Sequence, residues 1–195
     1  MPTSAIATAN ASAVNASADI PALDSLDFIP YINDAGQLPD ECEGSIGVYA
    51  VFDRDRALHY VGYSRDMATS LKLHLVRQPE SCFWVKAHAI ARPSRTLLEN
   101  IRAAWMDSNG DIPIGNALDP SPWETPIDVK EQMTQEERDR YADKTLSERD
   151  RIKALKQAAR RIEAEILAQL EARHVAIPLR FNPKLKEEGW LDLKA

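Results

Sequence analysis

The sequence predicts an α+β fold: a small three-stranded antiparallel sheet flanked by helices, in the order β-β-α-β-α, with a C-terminal helical extension. Three observations carry this. Residues 45–52 place Ile46, Val48, Ala50 and Phe52 on one face, the period of a half-buried strand. The polar stretch Asp53-Arg54-Asp55-Arg56 separates that run from a second one, Ala57–Tyr63, as a hairpin turn would. Two helical patterns then bracket a third alternating run, Phe83–Ile90.

Residues 1–24 are expected to form a disordered leader. The first 18 are almost entirely Ala, Ser, Thr and Asn, without the basic start and apolar core of a secretory signal or the arginines of a transit peptide. Residues 25–44 are an acidic lead-in, with a short helix expected at Ser25–Ile32 and limited by Pro30. After the hairpin, Ser64 and Asp66 are candidate N-caps for a helix to about Arg77. Its inward face would carry Met67, Leu71, His74 and Leu75, and Pro79 ends it. In the third strand Phe83, Val85, Ala87 and Ala89 alternate. Pro93-Ser94 opens a helix through Met106, with Leu97, Leu98, Ile101 and Trp105 at helical spacing. Asn109-Gly110-Asp111 terminates it, and a loop at Pro113–Asn116 closes a domain of residues 43–117.

Residues 118–133 hold Pro120, Pro122 and Pro126 and suggest a linker. Residues 134–176 suggest charged amphipathic helices. Thr134 and Glu137 match a capping box, and Ser147 caps a longer helix to about Arg173. Ile152, Leu155, Ala159, Ile162 and Ile166 make its apolar face. Arg149, Lys153, Lys156 and Arg160 run beside that face as a basic stripe, either a solvated surface or a contact for phosphates or a partner. Residues 177–195 form a C-terminal arm.

Charge is distributed unevenly. The 195 residues carry a net −6, and no Lys or Arg occurs before Arg54. Residues 54–195 hold all 24 basic groups against 22 acidic ones. Nucleic-acid binding would therefore need a local patch and be salt-sensitive. Cys42 and Cys82 have no metal-ligand spacing, so a reducing, cytoplasmic-type compartment is expected, with Cys82 as a small buried hydrophobe. No apolar run approaches the 18 residues of a membrane span.

The functional signal lies in Gly47-Val48-Tyr49 and Tyr60-Val61-Gly62. A two-residue loop at Arg54-Asp55 and a four-residue loop at Asp53–Arg56 set one register, with Tyr49 opposite Tyr60 and Gly47 opposite Gly62. Opposed residues share a face about 5 Å apart, so two phenols would converge beside a strip lacking side chains. Glycine inside a strand marks a bulge or the close approach of a backbone or ligand. Aromatic cross-strand pairs also serve simply to stabilise sheets.

These tripeptides, with Ser64 in the following loop, a helix after it and Glu99 in the second helix, resemble the GIY-YIG nuclease superfamily over about residues 43–117. The run from Gly47 through His74-Leu75, then Pro79-Glu80-Ser81-Cys82 and Pro113–Asn116, is most similar to the subgroup containing the N-terminal domain of plant plastid monothiol glutaredoxins. No Cys-Gly-Phe-Ser motif is present, so a redox role does not carry over. The resemblance implies hydrolysis of DNA phosphodiesters with one divalent metal, Mg²⁺ or Mn²⁺. It implies Tyr49 as general base or water orienter, Tyr60 as holder of the water or a phosphate oxygen, and Glu99 as metal ligand. Gly47, Gly62, Ser64, Arg65 and His74 would adjoin substrate, with His74 also suited to a hydrogen-bonded core role.

One departure stands out. The family's catalytic arginine falls eight residues after Gly62, where this chain has Ser70. Losing a guanidinium that stabilises transition-state charge costs on the order of 10²–10³ in rate, by analogy with one lost oxyanion donor. Two functions follow as expectations: a slow, metal-dependent endonuclease acting on DNA, or a catalytically inactive fold serving as a protein- or nucleic-acid-binding module through residues 134–195. No membrane partner is expected.

Overall fold

The computed structural model describes residues 20–117 and 119–194. Its centre is a four-stranded antiparallel sheet in the order β1-β4-β2-β3. The strands are β1 (Ile29–Pro30), β2 (Gly47–Phe52), β3 (Leu58–Ser64) and β4 (Trp84–Ala89). The three expected strands form, and β1 adds a fourth by pairing Ile29 with Val85. The helix expected at Ser25–Ile32 does not form. A 3₁₀ turn at Leu23–Ser25 and the short strand replace it, since Pro30 cannot donate within a helix but is tolerated on an edge strand.

Strand β2 is buried along its whole length, because both faces of the sheet are covered and not one. On one face Val48, Ala50, Phe52 and Val61 meet Leu98, Ile101 and Trp105 of α2 (Arg95–Ser108). Ser94 caps that helix by accepting from Leu97 N. On the other face Tyr49, Val51, Tyr60 and Val85 join Met67, Leu71 and Leu75 of α1 (Met67–Arg77), which Asp66 caps through Thr69 N. Each fully buried Leu, Ile or Val contributes roughly 1.5–3 kcal/mol.

The hairpin departs from the expected register. Its loop has three residues, Arg54-Asp55-Arg56, closed by Asp53 N to Ala57 O at 3.0 Å. Arg56 takes a left-handed φ of 64°, the three-residue turn with a final αL residue. Asp53 Oδ1 holds it by accepting from Asp55 N and Ala57 N, each at 2.9 Å. A bulge follows: Phe52 pairs with Leu58 and Val51 with Tyr60, leaving His59 without an opposite residue. An odd loop alone would flip the side chains to the wrong face. The single extra residue restores parity, so the strands end up slipped by two. Tyr49 therefore lies opposite Gly62, and Gly47 opposite Ser64.

The remaining elements are α3 (Ser121–Glu124), β5 (Ile127–Asp128), α4 (Gln135–Ala142), α5 (Glu148–Ala172), α6 (Pro183–Glu188) and β6 (Trp190–Leu191). Of the linker expected at 118–133, residues 119–133 are folded into the domain, because Trp123, Val129 and Met133 are buried in the same core as Tyr49, and β5 pairs with β6. The capping box at Thr134 and Glu137 forms, as does the Ser147 cap. Leu155, Ala158, Ala159, Ile162, Ile166 and Leu170 of α5 complete the core, whereas Ile152 stays on the surface. Of the expected leader, residues 1–19 lie outside the described residues. Its end is folded: Leu23 is buried, and Trp105 Nε1 donates to Pro21 O at 2.8 Å. No helix among the described residues is long and apolar enough to cross a membrane.

Candidate functional site

The two tyrosines share the α1 face, as expected, but sit diagonally, with ring centroids 6.4 Å apart. Gly62 explains how. A Cβ there would fall 2.6 Å from Tyr60 Cε1 and 2.8 Å from the Tyr49 phenol, so the Tyr49 ring occupies the space a side chain would fill. Gly47 serves a different contact, since its Cβ would meet His88 O of β4 at 2.2 Å. The expected bare strip is thus filled by a phenol at one glycine and by neighbouring backbone at the other.

Both phenols are sealed. Tyr49 is 2% exposed and Tyr60 6%. The Tyr49 hydroxyl and His74 Nε2 are 2.9 Å apart. His74 Nδ1 faces the Trp123 carbonyl at 3.1 Å, which accepts only, so Nδ1 carries the proton and Nε2 accepts from Tyr49. Burial, with the Arg77 charge adding to it, holds the His74 imidazole down at about 3 and therefore neutral. Tyr60 donates to Glu124 Oε1 at 3.0 Å. Trp123 stacks on Tyr60 with centroids 5.0 Å apart and planes 3° from parallel. Burial raises both phenols well above their ordinary range, opposed at Tyr49 by the Ser70 hydroxyl. Neither is a base near neutral pH.

The short helix α3 is the seal. Pro122 at its start favours the helical φ. The Trp123 carbonyl accepts from Arg77 Nη1 at 2.8 Å as well as from His74. Arg77 also reaches Asp192 at 2.6 Å, a pair that is 7% and 10% exposed. Sequence reasoning missed Trp123, Glu124, Arg77 and Asp192, all contributed to the site from segments taken as a linker, a helix end and an arm. The one local signal was a tryptophan among prolines, a large apolar residue without a periodic partner. It also missed His59, whose Nε2 lies 2.9 Å from Asp53 Oδ2 and braces the turn.

Glu99 is elsewhere. It extends from α2 beside Tyr63, whose hydroxyl donates to it at 3.3 Å, and it pairs with Arg95 at 2.8 Å. Tyr63 belongs to the α2 face of the sheet and Tyr49 to the α1 face, so the sheet separates Glu99 from the two phenols. Arg95 holds its carboxyl below the usual range. No group of three His, Cys, Asp or Glu able to hold a metal occurs among the described residues. Glu99, the carboxylate that the resemblance would give to a metal, has Arg95 and Tyr63 as its hydrogen-bond partners. Ser64 and Ser70 bond to each other at 2.8 Å near Tyr49, while Arg65 is exposed.

The basic stripe is on the surface: Arg149, Lys153 and Arg160 are exposed on α5, and Lys156 pairs with Glu187 at 2.7 Å. Cys42 and Cys82 are free and buried.

No family model matches the chain. Over 81 residues, 40% of this chain, it is 35% identical to a chloroplastic bifunctional monothiol glutaredoxin of Arabidopsis thaliana. The aligned stretch spans 28% of that protein's length.

Proposed function

We propose that this chain uses a GIY-YIG-like scaffold as a binding module for nucleic acid, with phosphodiester chemistry silent in the folded state. The supporting observation is the enclosure of Tyr49 and Tyr60: both hydroxyls are spent on His74 and Glu124 beneath Trp123. Little of either phenol meets solvent while α3 is in place. Ser70 at the arginine position and Glu99 across the sheet agree with this reading. The exposed cations of α5 supply the contact, since a helix stripe of Arg149, Lys153 and Arg160 suits the evenly spaced charges of a phosphate backbone. Two buried thiols suit a reducing, cytoplasmic-type compartment.

The test is fluorescence anisotropy with a labelled duplex at low salt. Saturable binding is expected, with log K falling by about 0.9 per phosphate neutralised as log salt rises. The triple variant Arg149→Gln, Lys153→Gln, Arg160→Gln should lose it without a change in thermal unfolding. Binding that the triple variant retains contradicts the assignment to α5.

A second reading, a metal-dependent DNA endonuclease using Mg²⁺ or Mn²⁺, is favoured by one observation: Tyr49, Tyr60 and His74 do converge on one face. It requires α3 to leave and the carboxylate of Glu99 to be replaced by another donor on the tyrosine side.

A further inference from the structure

The C-terminal arm folds back on itself. Phe181 bridges Leu193 in antiparallel fashion, Asn182 N donates to Asp192 O at 2.9 Å, and Lys194 N donates to Arg180 O at 2.7 Å. That register sets Arg180 directly opposite Lys194. Like charges so placed repel and weaken a strand pair, and neither side chain has an ion-pair partner among the described residues. Lys72 of α1 lines the same cleft, which encloses about 580 Å³ over Leu73, Pro178 and Leu193. The carboxylate in its wall, Asp192, is committed to Arg77 at 2.6 Å. Lys72 acts on Asp66, but that carboxylate already accepts from Thr69 N and Oγ1. A chain of net charge −6 thus gathers three weakly compensated cations around an apolar floor.

We infer that this cleft binds a small organic phosphomonoester, its phosphate among Lys72, Arg180 and Lys194 and its apolar body on Leu73, Pro178 and Leu193. The cleft falls within the roughly 300–1,000 Å³ of small-molecule sites. A phosphomonoester carries about −1.5 to −2 charges near pH 7, and an arginine fork beside two lysines suits its oxygens. The anion relieves the repulsion between Arg180 and Lys194.

Isothermal titration of the full chain with phenyl phosphate tests this, with inorganic phosphate and phenol as controls. Phenyl phosphate should bind one to one with Kd below about 1 mM, and both controls about tenfold more weakly or worse. Lys72→Gln and Arg180→Gln should each weaken binding roughly fivefold or more. Arg180→Gln should also raise the Tm of the unliganded chain, which shows that the variant is folded. Absence of saturable binding, unchanged affinity in both variants, or inorganic phosphate binding as tightly as phenyl phosphate would overturn the inference.

Discussion

The Tyr49 hydroxyl donates to His74 Nε2 across 2.9 Å, and the direction of that bond is fixed by a third group, the Trp123 carbonyl on the far side of the ring. The chain Tyr49–His74–Trp123 ties the first strand of the hairpin to α1 and α1 to α3. It is a structural network in which the histidine is a neutral relay between a donor and an acceptor, and its removal is felt at both ends. Tyr49→Phe should cost about 1–3 kcal/mol, the penalty for a buried Nε2 left without its donor, measured by urea denaturation.

His74 makes stability depend on pH. Its folded-state value is near 3 against 6.5 when exposed, so between these values the unfolded chain binds more protons than the folded one. Stability is complete above about pH 6.5 and is lost as pH falls toward 3, by up to about 1.4 kcal/mol per pH unit. Urea titrations at pH 7 and pH 5 check this, a window above the range where the surface carboxylates protonate. His74→Gln should remove most of the difference between the two.

Gly62→Ala inserts a methyl where the Tyr49 and Tyr60 rings already lie within 2.8 Å of its ideal position. It should destabilise by about 1–3 kcal/mol through overpacking. The double variant Gly62→Ala, Tyr49→Ala should show a favourable coupling, because the added methyl then enters space the phenol has left.

Trp123→Ala removes the stacked cover of Tyr60 and should cost about 3–5 kcal/mol. Nitration of tyrosines by tetranitromethane, mapped by peptide mass, should then reach Tyr60 in the folded variant. In the parent chain only the less buried tyrosines should react.

Asp192→Ala leaves Arg77 buried without its counter-ion and should cost about 3–5 kcal/mol. Replacing both partners, Arg77→Met with Asp192→Leu, should recover most of that loss, since the desolvation cost of the two charges disappears with them. Thermal unfolding of the two variants beside the parent chain decides it.

The local grammar of this fold is legible in the sequence. Ser94, Thr134 and Ser147 announce their helices because a cap is a three-residue interaction, and Val48, Ala50 and Phe52 announce β2 because side chains on a strand alternate faces with period two, although that alternation hides the burial of both faces. The hairpin register was not legible, since it depends on whether Arg56 adopts a left-handed φ and whether His59 bulges, and neither residue type demands it. The site was half legible. Tyr49, Tyr60 and His74 converge because they lie within one hairpin and the helix that follows. Trp123, Glu124 and Asp192 come from 49 to 143 positions beyond Tyr49 or His74, joined by packing that leaves no spacing to read. The same long-range closure turned an apparent linker into the cover of the site.

A plasmid-relaxation assay run beside a binding measurement tests the sealed site most directly. Purified chain should bind the supercoiled plasmid at low salt and leave it intact in Mg²⁺ or Mn²⁺. Nicking by the parent chain that disappears in Tyr49→Phe would contradict it, because a phenol closed off by Trp123 and held by His74 has no means to assist hydrolysis.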